Sequence, residues 1–316
     1  MNKTGKTFLF SSAATLAAPN AAGHAPHNVQ PWVSEAEANW WRYGSWLTGM
    51  TLLLCALALC LPSVPVPDSY HAFADQVTWW GFLPHARDVL SNAAFALAGW
   101  ALLWQGRRYV RAGVAHKRVL PALHVAGWGL VLTAVCSSVY HLQPDARGLV
   151  LDRLGMSVAF AGVLGLLVAD RFAPVRVLPA MAVALLLGVA CTVGDFLHNN
   201  TLPWVLYQLG LLGLMLLAPW ITRGPSVQGV AQGVQGQALQ ALLGVAWWQV
   251  LVFYALAKVC ELGDQAFWQL TGEIISGHSL KHIAAAAAVW PVLQALRAQV
   301  KAAKNSSQQP VHKREG

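Results

Sequence analysis

Eight apolar runs, each close to the length of a bilayer-crossing helix, leave this chain few alternatives for its fold. They lie at about 44–62, 88–106, 121–141, 149–169, 175–194, 203–220, 240–260 and 278–296 of the 316 residues. The hydrocarbon core of a bilayer takes about 20 helical residues to cross. Inside it, every backbone N–H and C=O must be satisfied within the protein. The runs are continuous rather than alternating, which favours helices over the strands of a membrane barrel. Composition points the same way: 56% of the residues are hydrophobic and 11% charged, against about 25% charged in soluble domains. Too little polar surface remains to cover a water-soluble globule, and the same figures exclude a disordered or collagen-like chain. The expected fold is all-α, a polytopic membrane helix bundle. Fifteen Trp suit two interfacial belts.

A formal net charge of +8 in a soluble protein would suggest a nucleic-acid partner. In a membrane protein it reads as basic loops held on the cytoplasmic side, with the membrane itself as the partner and no nucleic acid. An even number of spans puts both termini on one face. That face collects Lys3, Lys6, Arg42, Arg107, Arg108, Arg111, Lys117, Arg118, Arg171, Arg176, Arg223 and the basic residues of the tail. The opposite face holds most of the acids: Asp68, Asp75, Asp88, Asp145, Asp195, Glu261, Asp264 and Glu273. Both termini are therefore expected in the cytoplasm, with the chain in an inner or plasma membrane.

Residues 1–43 are expected to form a flexible N-terminal arm. The run at 44–62 is read as a retained helix, because the leader before it is too long for a signal peptide. Residues 63–296 form the main membrane domain, and 297–316 a disordered cytoplasmic tail. The 224–237 stretch, with its repeated Val-Gln-Gly pieces, reads as a flexible loop. The five Cys contain no CxxC pair, so neither a disulfide framework nor a Cys metal site is expected.

Ionisable residues inside a bilayer are costly and tend to mark function. The third run ends in "CSSVYH", with Ser137 and His141 four apart; the fourth begins "LVLDRLG", with Asp152 about one turn in; the eighth begins "GHSLKH", with His278 and His282 four apart. A separation of four puts two side chains on one helix face, one turn apart. Parity adds to this, since the third run leaves on the face from which the fourth and eighth enter. All five residues then lie at one depth near one membrane surface. Three neutral imidazoles with an open fourth position make a catalytic zinc site. Asp152 could take a proton or orient a ligand, and Ser137 could donate to a developing oxyanion. Singly, each has a blander reading: a core His bonded to a carbonyl, a Ser bonded to its own i−4 carbonyl, an Asp152–Arg153 interfacial pair. Jointly, with shared depth, they favour a metal site. His116 and His124 fall on the wrong face. His71, His85 and His198 read as loop residues, and Lys258, Glu261 and Asp264 as a structural ion-pair network.

These residues resemble the CREST superfamily of membrane hydrolases, and most closely the alkaline ceramidases. The matching pattern is Ser137-x-x-x-His141, Asp152 eleven residues after His141, and His278-x-x-x-His282 in the last helix. The stretch "DVLSNAAF" at 88–95 is similar to the Ser-Asn segment that opens the first family helix, with Ser91 and Asn92. The resemblance covers about 75–296. It implies a seven-helix core, with 44–62 as one extra N-terminal transmembrane helix. It implies Zn2+ on His141, His278 and His282, with Ser137 and Asp152 as catalytic residues. The implied reaction is hydrolysis of a ceramide or related N-acyl lipid, drawn from the bilayer, to a fatty acid and an amine. The family's calcium cluster is not carried over, because 68–88 holds Asp75 and Asp88 without the dense acidic run. Ca2+ thus has no motif here. The alternative expectation is a receptor-like or lipid-binding membrane protein with a structural zinc.

Overall fold

The computed structural model describes residues 32–115, 119–172, 177–221 and 243–308, and among them there is no strand. The helices are α1 (Trp32–Cys60), α2 (Ala86–Ser91), α3 (Ala93–Arg111), α4 (Leu120–Leu142), α5 (Ala146–Arg171), α6 (Val177–His198), α7 (Leu202–Ile221), α8 (Trp247–Leu262), α9 (Asp264–Leu270), α10 (Gly277–Ala287) and α11 (Trp290–Gln308). Every apolar run overlaps one or more of them. Four stretches are long and apolar enough to cross a membrane: α4, α5, α6 and Gly277–Ser306, which joins α10 to α11. Leu47–Cys60 and Leu202–Ala218 are apolar but shorter.

Helix ends differ from the edges of the apolar runs. α1 starts at Trp32, inside the expected arm, and α11 runs to Gln308, inside the expected tail. An apolar run marks burial in lipid or core, whereas good helix formers such as those of 297–304 continue the backbone hydrogen bonds beyond it. Residues 1–31, the 224–237 repeat and 309–316 lie outside the described residues. The last run is broken at 288–289. Pro291 has no N–H to donate and its ring opposes the carbonyl of Ala287.

α4 and α5 form an antiparallel hairpin. Asp145 caps α5, its side chain accepting from the Gly148 N–H at 2.6 Å. The two backbones nearly touch: a Cβ on Gly129 would lie 2.5 Å from Ala159 N, and one on Gly162 2.2 Å from Ala126 N. In lipid there is little hydrophobic drive between helices, so such close van der Waals contact of small residues is what holds them. α3 joins at Gly99, where a Cβ would meet the Gly127 carbonyl oxygen at 2.5 Å. These contacts set the axial register that brings the end of α4, the start of α5 and the segment before α3 to one level.

Large apolar side chains point outward, including Leu178, Leu186 and Leu197 of α6. At one end of the bundle Arg108 stacks on Trp104 at 4.7 Å and Arg297 on Trp290 at 5.1 Å. At the other, Arg87 lies over Trp268 at 4.9 Å.

Candidate metal centre

The last two turns of α4 carry Ser137 and His141, and the first two turns of α10 carry His278 and His282. Two features seat α10. Gly277 lies against α8 and α9 so closely that a Cβ would come within 2.3 Å of the Cys260 carbonyl oxygen. Asp264 accepts from the His278 backbone N–H at 2.7 Å and from Ala74 N–H at 2.9 Å. One carboxylate thus fixes both the start of α10 and the loop before α2.

The three imidazoles meet. Ring centroids are 4.7 Å apart for His141–His278, 5.1 Å for His141–His282 and 4.9 Å for His278–His282. One nitrogen from each lies within 4.8 Å of the others, and all three residues are buried. Tetrahedral bonds of about 2.0–2.1 Å put ligand nitrogens about 3.3 Å apart, so modest ring rotation closes the set.

His141 is 0% exposed, and neither of its ring nitrogens has a hydrogen-bond partner among the described residues. An orphaned buried polar group costs about 1–3 kcal/mol, which a metal ion would relieve. His282 is oriented from behind: its Nδ1 meets Ser91 Oγ at 2.7 Å, and Ser91 donates to the Asp88 carbonyl at 2.9 Å. The Ser91 proton is therefore committed, so His282 Nδ1–H donates and Nε2 keeps its lone pair for the cluster. Asp88 in turn accepts from Ser276 and Ser279 hydroxyls, each at 2.6 Å. His278 Nε2 lies 3.1 Å from Lys281 Nζ. A metal bound through this Nε2 would take the contact over. These residues fit a metal ion. Ser91→Ala is expected to lower metal affinity about 10–100-fold, as loss of a ligand-orienting group does, read by competition with a chelating dye.

Phe73 closes the cluster from the loop side, its ring 4.6 Å from His141 and 4.4 Å from His278. His71 pairs with Tyr140 Oη at 2.8 Å beside it. Burial holds the His71 imidazole below its ordinary pKa. Ser137 and Asp152 line one cavity of about 70 Å3 together with His282 and Lys281. The Ser137 hydroxyl and the Asp152 carboxylate are neighbours in this cavity.

Among the other residues some follow expectation, as in the Lys258–Glu261 ion pair and the absence of His124 from the cluster, and some do not. Arg153 pairs with Asp195 rather than Asp152 and also donates to Thr201 Oγ1 at 2.9 Å. Glu261 bridges Lys258 and Lys281, while Asp264 stays out of that network. His85 bonds the Asp75 carbonyl at 2.6 Å. His124 bonds the Leu120 carbonyl of its own helix at 2.9 Å; His198 is exposed at the end of α6, and His116 is outside the described residues. Asp75 is taken up by the Val77 and Arg87 backbone N–H groups and the Arg87 guanidinium. Lys281 escaped the sequence reading as a site residue. Its signal was a lysine within an apolar run, three residues after one site His and one before the other.

No known family model, curated protein or solved structure matches this chain. Fold and site therefore define the class directly: an all-helical protein with membrane-length segments and a buried histidine triad that could bind a metal ion.

Proposed function

We propose that the protein is a zinc-dependent intramembrane amide hydrolase, ceramidase-like, cleaving a ceramide or related N-acyl lipid to a fatty acid and an amine. The observation that carries this reading is the joint lining of one cavity by Ser137, Asp152 and His282. A metal alone needs neither a hydroxyl nor a carboxylate there.

Zinc held by three imidazoles would polarise the carbonyl and make water a better nucleophile near neutral pH. The chain supplies the rest. Asp152 accepts the proton of the attacking water and returns it to the leaving nitrogen. Ser137 donates to the carbonyl oxygen as negative charge develops there. Phe73 and the loop around it exclude bulk water.

The substrate's tails have room. A second, apolar cavity of about 130 Å3, lined by Leu102, Leu130, Phe160, Met215 and Val289, adjoins the first. A third of about 600 Å3 lies between α7 and α8. Gln208 and Tyr254, hydrogen-bonded to one another, line all three. A lipid already in the bilayer could pass sideways along this path. In this reading α3 to α8 and the α10–α11 unit form a seven-helix core, and α1 is the extra helix. The termini are cytoplasmic and the metal lies near the opposite face of an inner or plasma membrane.

The burial of the triad under Phe73 favours a second reading, a receptor-like lipid-binding protein with a structural zinc, since structural sites are closed. Metal analysis of the purified protein, paired with fatty-acid release from a panel of N-acyl lipids, tests both. Stoichiometric zinc with release is expected. A metal-free active protein ends the first reading, and a zinc-loaded protein that cleaves nothing promotes the second.

A further inference from the structure

We infer that the protein takes an N-acyl lipid with an uncharged sugar head, and that this head sits in a polar vestibule next to the triad cavity, held by Arg153, Asp195 and Phe196. This deepens the hydrolase reading and rests on it for the position of the amide.

The vestibule has a volume of about 280 Å3 and lies where α5 begins and α6 ends, with His71, Arg153, Thr192, Asp195, Phe196 and Asn199 in its lining. Leu149 and Arg153 line both this space and the cavity of about 70 Å3 that Ser137, Asp152 and His282 share. The two spaces therefore adjoin. The smaller suits an amide; the larger has room for a ring that bears hydroxyls. Its rim is already fixed. The Val64 N–H donates to Asn200 Oδ1 at 2.9 Å, the Val66 N–H to Asn199 Oδ1 at 3.2 Å, and the Thr201 N–H to the Val64 carbonyl at 2.8 Å. These bonds tie the 64–66 segment to the link between α6 and α7, so little ordering remains to be done on binding.

The lining decides the chemical class. Arg153 and Asp195 are buried and paired with one another. An ionic head would draw one of them away and leave the other a buried, unmatched charge, which is costly. A neutral head meets no such cost. What the pair still offers is hydrogen bonding: Arg153 Nε–H and Asp195 Oδ1 are both buried with no partner among the described residues. Such groups are expensive to leave unsatisfied. One is a donor and the other an acceptor, and a hydroxyl both accepts and donates. Asn199 adds its NH2 group at the rim. Phe196, 49% exposed, adds an aromatic face. The C–H face of a hexose presents hydrogens of partial positive charge, which match the negative face of the ring. Hydroxyls beside an apolar face are what a sugar offers, and neither a phosphocholine nor a bare alkyl amine does.

The metal-loaded full chain in phosphatidylcholine nanodiscs is mixed in stopped flow with N-oleoylsphingosine, with its β-glucosyl form or with its phosphocholine form, and binding is read by tryptophan fluorescence before turnover. The glucosyl lipid is expected to bind about tenfold more tightly than the other two, the scale of one hydrogen bond to a charged group. Phe196→Ala, a change at a half-exposed position that leaves the Arg153–Asp195 pair alone, is expected to shrink that ratio, and so is Asp195→Asn. Equal affinity of the wild-type chain for the plain and glucosyl lipids overturns the inference without relying on any variant. Phosphocholine binding as tight as glucosyl binding overturns the uncharged class. A glucosyl preference unchanged in Phe196→Ala overturns the placement in the vestibule, whether or not Asp195→Asn folds. Fatty-acid release from the plain and glucosyl lipids, followed in parallel, separates the two readings. Release without glucosyl preference in binding overturns the sugar site and leaves the hydrolase. Glucosyl-selective binding without release from either lipid upholds the site and removes the hydrolase.

Discussion

His278→Ala is expected to strip the metal from the purified protein and to drop fatty-acid release to the uncatalysed background while helical content stays. A catalytic zinc site of this kind uses three protein ligands, and the variant leaves two, His141 and His282, on different helices. The helices should remain because the His278 ring does not seat α10. That is done by the close approach of Gly277 to the Cys260 carbonyl and by the bond from the residue-278 backbone N–H to Asp264. Alanine keeps both. Elemental analysis and circular dichroism on the same preparation check this result. Full metal occupancy in the variant would remove His278 from the ligand set.

Asp152→Asn is expected to cut turnover by about 10²–10⁴-fold, the range for losing a positioned acid–base group. Metal content and lipid binding should hold. The amide is nearly isosteric, but it cannot accept a proton. Ser137→Ala should show a smaller loss of the same kind, about 10²-fold. Single-turnover hydrolysis measured beside lipid binding separates chemistry from capture. Wild-type turnover in Asp152→Asn would mean that the carboxylate carries no proton, and a receptor-like role would then account better for the cavity.

Much of the candidate site was legible because its signals are local. Ser137 and His141, and likewise His278 and His282, are four apart on helices, so each pair shares a face whatever the tertiary packing. Span parity gave the two pairs only a shared depth; that their rings meet is a fact of the tertiary structure. Lys281 was not legible as a site residue, since its ammonium could have reached the interface as easily as the cavity. The pairing of Arg153 with Asp195, 42 residues away in sequence, was equally hidden: adjacency had suggested Asp152, but consecutive residues on a helix face different directions. Ser91 stood out only through family resemblance, and its contact with His282 spans 191 residues.

By itself, the order of residues determined that this chain is helical, that it carries membrane-length segments, and that Ser137 and His141, like His278 and His282, share a helix face. These are matters of period and hydropathy, properties that a single helix already has. Only the tertiary structure decided which side chains surround those histidines: Phe73 above, Ser91 behind, Lys281 and Glu261 beside. Those contacts depend on helix register, which is set here by glycines that let backbones approach at a few particular points. No local period encodes where two helices touch.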